Sequence, residues 1–246
     1  MSLRELASRS GTKKRSSRTQ RCIQLAPALG WVGAAGFTAT WLVLGFLSPG
    51  YEMWDIVVPS YSAVSQPISG LGLGVTAPAM NTAFIVFGAF VAVGTWTATR
   101  TWPRTVLMRL ARLGLLATGL GMIVCGVFDL ESMAMHSLGF LLAVGFPSVG
   151  LLLAGTALRR TGQMVGPGLL GAGLAALMLF ALFLGTFDAE AAGAGHGVAG
   201  LVQRLLVTLV LGAVSVICWR APGGTTLDEG KRTAATSTDV AAGKWA

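Results

Sequence analysis

The chain is short of charge. Only 11% of its 246 residues are Asp, Glu, Lys or Arg, against roughly a quarter in an average soluble domain. That supply cannot coat a globule of this length, so a water-soluble fold is excluded and lipid is the natural solvent. Histidine is scarce too, with only His136 and His196. No HxxxH or HxxE pair falls on any helix, and the three cysteines (Cys22, Cys125, Cys218) are scattered. A zinc module and a disulfide framework are both unsupported. Lys and Arg are missing altogether from three of the gaps between apolar runs, and that absence carries the most information.

What is present is apolar: 53% of residues are hydrophobic and 34 are glycine. Small residues let helix backbones approach closely in lipid. Six apolar runs, roughly 27–48, 79–98, 106–128, 136–158, 164–187 and 197–219, each have the length of about 20 residues that spans hydrocarbon. The expected fold class is therefore all-α, a polytopic bundle of six transmembrane helices built from three hairpins. Residues 1–25 and 221–246 are expected to be disordered tails, and residues 26–220 the membrane domain. Pro147 and Pro167 fall inside runs four and five, where a proline frees a carbonyl and can kink a helix.

The formal charge of +8 fits membrane orientation better than nucleic acid, because the basic residues cluster in alternate gaps. The N-terminal segment, Arg100 to Arg112, Arg159-Arg160 and Arg220 fall on one side. Glu52, Asp55, Asp129, Glu131, Asp188 and Glu190 fall on the other. The positive-inside rule then predicts both termini in the cytoplasm of a multi-pass cell-membrane protein, with a bacterial inner membrane as the expected location.

The acidic gaps repeat a phrase. Phe128-Asp129-Leu130-Glu131 precedes His136, and Phe187-Asp188-Ala189-Glu190 precedes His196. Tyr51-Glu52-Met53-Trp54-Asp55 holds the equivalent place upstream. The three turns are expected to converge on one polar site. Arg204 lies eight positions after His196, about 12 Å deeper along a helix, where an unpaired charge is costly. His196, Gly200, Gln203 and Arg204 would share one inward face, with Asp129 and Asp188 as the expected partners of Arg204. Asp129, Asp188, His136, His196 and Glu52 are the candidate acid-base residues. Arg204, Gln203, Asn81, Trp54, Tyr51, Ser69 and Asp55 are the candidate substrate contacts. The segment Ser65 to Gly72 is apolar enough to dip back into the bundle. Ser69 within it could be a nucleophile or could satisfy a backbone group. Metal and cofactor are expected to be absent.

Ile68-Ser69-Gly70-Leu71-Gly72, Pro78 with Asn81, Gly126-Val127-Phe128-Asp129 with His136-Ser137-Leu138-Gly139, and Gly200-Leu201-Val202-Gln203-Arg204 resemble the bacterial membrane proteins grouped as domain of unknown function 998. Family members often carry histidine where Gln66 stands. The resemblance implies six helices and no particular activity. A looser likeness is to small integral-membrane terpene cyclases, which implies carboxyl proton donors; Glu52 and Asp188 occupy the corresponding positions.

Three functions follow. The first is an enzyme doing acid-base chemistry on a lipid or isoprenoid substrate: cyclisation of a prenyl chain, or hydrolysis or transfer on a head group with a histidine as base. The second is a structural or partner-binding membrane protein with a buried ion-pair network. The third is a transporter, which would need a polar path through the inner half, where little but Thr and Ser is found.

Overall fold

The computed structural model describes residues 26–54, 56–58 and 60–221. Asp55, Cys22 and the two expected tails (1–25, and 221–246 beyond Ala221) lie outside them.

Six helical spans are long and apolar enough to cross a membrane. The first is α1 (Ala28–Leu47). A short antiparallel hairpin follows, β1 (Tyr51–Met53) and β2 (Ile56–Val58), with Tyr51 opposite Val58. Two 3-10 turns (Ile68–Gly72 and Gly74–Thr76) lead into α2 (Ala77–Thr99), which α3 (Val106–Val127) follows. The fourth span is a broken rod: α4 (Met133–Phe140), a π turn (Leu141–Gly145), then α5 (Phe146–Arg160). After α6 (Val165–Thr186) come the short α7 (Ala189–Gly193) and the last span, α8 (Ala199–Trp219).

The spans close into a ring. Each packs on the next in the order α1, α2, α3, α5, α6, α8, and α8 returns to α1. Phe37, Met80, Leu115, Leu151, Leu206 and Val214 are fully buried in its centre. Lipid gives helices no hydrophobic reason to associate, so contact depends on close backbone approach. Gly88 of α2 and Gly119 of α3 provide it: a Cβ on Gly88 would lie 2.8 Å from the carbonyl oxygen of Gly119.

The two prolines behave differently. Pro147 sits in the first turn of α5, directly after the π turn, where its missing N–H falls at a change of winding. Pro167 sits in the first turn of α6. An N–H there has no intrahelical acceptor to lose, so this proline costs α6 no helical hydrogen bond.

The loops at the acidic end touch one another through apolar side chains. Leu130, from the second acidic turn, packs with Tyr51, Val58 and Leu73 of the first. The third touches it through α7 against β2.

Candidate functional site

The long first loop is the scaffold of the site. Residues 65–73 are all buried, so this segment does enter the bundle. Backbone inside a membrane protein needs every polar group satisfied, and α8 does much of this work. The N–H groups of Gly200 and Leu201, which have no acceptor within a new helix, donate to the carbonyls of Ser65 (3.2 Å) and Val64 (2.9 Å). Gln203 Oε1 accepts from the N–H of Ile68 at 2.6 Å. On the α2 side, Asn81 Nδ2 donates to the Gly72 carbonyl at 3.1 Å.

Arg204, 7% exposed, completes the clamp. One terminal nitrogen donates to the carbonyls of Ala63 (2.7 Å), Gln66 (2.9 Å) and Gly200 (2.9 Å). The other donates to the hydroxyl of Tyr61, which donates onward to the Pro67 carbonyl at 3.1 Å. This corrects the expected pairing with Asp129 and Asp188. Asp129 instead accepts from the N–H of Glu131 at 3.1 Å, and Asp188 from that of Ala191 at 2.7 Å, each closing its own turn. The guanidinium is held by backbone dipoles because the re-entrant loop fills the space in which a carboxylate would have to stand.

The burial of the loop's phenols has an electrostatic consequence. Burial, with Tyr61 nearby as a lesser cause, pushes the Tyr51 hydroxyl up to about 12. Burial also raises Tyr61, and the Arg204 charge and hydrogen bond oppose that rise only in part.

Beneath the loop, two expected residues meet. His136 Nε2 lies 2.8 Å from Ser69 Oγ, and its Nδ1 lies 2.8 Å from the carbonyl oxygen of Phe128. A carbonyl can only accept, so Nδ1 carries the proton. Neutral His136 then accepts the Ser69 hydroxyl at Nε2. Ser69 is 6% and His136 5% exposed. Ser69 and Gln203 line a small apolar cavity of about 30 Å³ with Phe37, Phe84, Thr118 and Phe140. The Thr118 hydroxyl is buried without a partner among the described residues.

The other candidates stand apart from this network. Glu52, Trp54, Asp188 and His196 are exposed, and Asp129 is half-buried. His196 precedes α8, which begins at Ala199, so it drops off the face formed by Gly200, Gln203 and Arg204. Gly195 and Gly197 flank it in the left-handed region, with φ of 79° and 83°, which ends the helix pattern there. Tyr51 is buried under the hairpin, against Gly70. Among the described residues, no three of His, Cys, Asp and Glu gather as a metal site. Tyr61 and the Phe128 carbonyl were not anticipated. Tyr61 did offer a signal, being one of only two tyrosines and set beside a predicted re-entrant segment.

These features define a multi-pass integral membrane protein whose polar centre lies under a re-entrant loop. The chain belongs to the family described as protein of unknown function (DUF998), whose model matches residues 31–220. No curated protein and no solved structure matches it.

Proposed function

We propose that the protein is an integral membrane enzyme that hydrolyses or transfers an acyl group of a lipid-like substrate, with Ser69 as nucleophile and His136 as base. One observation carries this reading: a buried Ser–His pair whose tautomer is fixed by a third group, the general signature of an activated nucleophile. In the forward step the Ser69 proton passes to His136 Nε2 while Oγ bonds to the ester carbonyl carbon. The tetrahedral adduct collapses, the carbon–oxygen bond to the leaving alcohol breaks, and that oxygen takes the proton from His136. Water or an acceptor alcohol then attacks the acyl-serine by the same route, restoring the Ser69 hydroxyl. The Thr118 hydroxyl and the Gln203 amide N–H groups are the donors available to the substrate's oxygen.

Prenyl-chain cyclisation is the less favoured enzymatic version. It needs a carboxylic acid in an apolar pocket, and the cavity lining includes none. A structural reading, in which Ser69–His136 only ties the loop to α4, draws support from the cavity's volume of about 30 Å³, room for roughly one water.

Fluorophosphonates of short and long alkyl chain separate these readings. Purified protein should gain one phosphonyl group, mapped to Ser69 by peptide mass. Ser69→Ala should gain none, and His136→Gln should react about 10²–10⁴-fold more slowly. If Ser69 stays unmodified by every probe while a control serine hydrolase reacts, the pair is a structural tie.

A further inference from the structure

The opposite end of the bundle has its own cleft, unconnected with the chemistry above. One lobe, about 300 Å³, is lined by Thr101, Trp102 and Arg220 over Leu169 and Ile217. The other, about 360 Å³, is lined by Thr105, Arg160 and Thr161. Pro103, Leu158 and Gln163 border both lobes, so the two adjoin across a shared wall.

The electrostatics of this end have one sign. Arg100, Arg104, Arg109, Arg112, Arg159, Arg160 and Arg220 lie in or beside the connections there, whereas every acidic side chain among the described residues (Glu52, Asp129, Glu131, Asp188, Glu190) lies at the far end. The lining is itself amphiphilic. Cationic and hydroxyl groups form the rim, and Leu158, Leu169 and Ile217 form a floor where the spans end.

We propose that these adjoining lobes bind the phosphate head groups of anionic phospholipids, at Arg220 in one and at Arg160 in the other, with the glycerol and first methylenes on the apolar floor. Arginine suits phosphate because its planar fork donates two parallel hydrogen bonds. The apolar floor favours a lipid over a free anion, which would leave that surface uncovered.

The test uses the full chain in phosphatidylcholine nanodiscs, with and without phosphatidylglycerol. Phosphatidylglycerol should raise the Tm by several degrees and be retained about tenfold over phosphatidylcholine in native mass spectra. Arg160→Gln/Arg220→Gln should lose both effects and still melt normally in phosphatidylcholine. Each single variant should lose part, which keeps the test open if the double variant does not fold. Arg100→Gln/Arg104→Gln, outside the cleft, should keep both. Equal loss in that control would mean diffuse attraction and overturn the site. An equal Tm rise with millimolar inorganic phosphate would overturn the lipid assignment in favour of a soluble anion. Undiminished retention by the Arg160/Arg220 variants would overturn it outright.

Discussion

The guanidinium of Arg204 donates to the hydroxyl of Tyr61, a residue 143 positions earlier, and through it reaches the Pro67 carbonyl. Arg204 thus fastens the stretch that leads into Ser69, while Asn81 holds the far end at Gly72. Arg204→Ala would strand several buried acceptors at once, each worth about 1–3 kcal/mol when left unpaired. An overall loss of about 3–5 kcal/mol is expected, with proteolytic cutting near residues 60–66. Arg204→Lys keeps the charge and loses the fork, so it should fall between. Thermal unfolding in detergent reads both, and wild-type melting of Arg204→Ala would contradict the clamp.

Gly200 is the point where α8 touches the loop. A Cβ there would strike the Gln66 carbonyl oxygen, whereas one on Gly212 would meet nothing within 4 Å. Gly200→Ala should destabilise by about 1–3 kcal/mol and slow phosphonylation of Ser69. Gly212→Ala should stabilise by up to about 1 kcal/mol through helix propensity alone. Equal behaviour of the two variants would remove the steric argument.

Both tyrosines of the chain, Tyr51 and Tyr61, lie in this loop, so tyrosinate absorbance near 295 nm reports on it alone. Each holds its proton more tightly folded than unfolded. Their contribution to stability is therefore complete below about pH 10, the unfolded value. It falls as pH rises, and for Tyr51 it is lost through about 12. The folded protein should show little tyrosinate at pH 10, with a rise on adding denaturant at the same pH. Full ionisation of both residues at pH 10 without unfolding would refute the burial argument.

The acidic turns separate the enzymatic versions. Asp188→Asn and Asp129→Asn retain an acceptor for the turn N–H, and Glu52 is exposed. These variants and Glu52→Gln should change stability by less than about 1 kcal/mol and leave phosphonylation of Ser69 intact. An Asp188→Asn protein that folds yet turns over no substrate would restore the carboxyl-donor mechanism.

Span number and position were legible because they follow from one strong signal, apolar runs of bilayer length. Runs 27–48 and 106–128 end within one residue of α1 and α3. That the acidic turns share one end of the bundle followed from counting crossings. The partner of Arg204 did not. A repeated Phe-Asp phrase suggests carboxylates, but nothing in residue types reports that a loop's carbonyls fill the same space. The Ser69–His136 contact spans 67 positions, and no periodicity links them. His196 matched His136 in phrase but not in placement, because the glycines around it delay the start of α8.

The π turn at Leu141–Gly145 takes up one surplus residue within its rod. Its wider winding carries roughly one residue more than an α-helix through about the same rotation, so α4 and α5 keep close to one rotational setting. Deleting a single residue there would let the turn close to ordinary winding and leave the two halves nearly where they stand. With α5 anchored between α3 and α6, the imidazole of His136 would still face Ser69, the rod having a residue to spare.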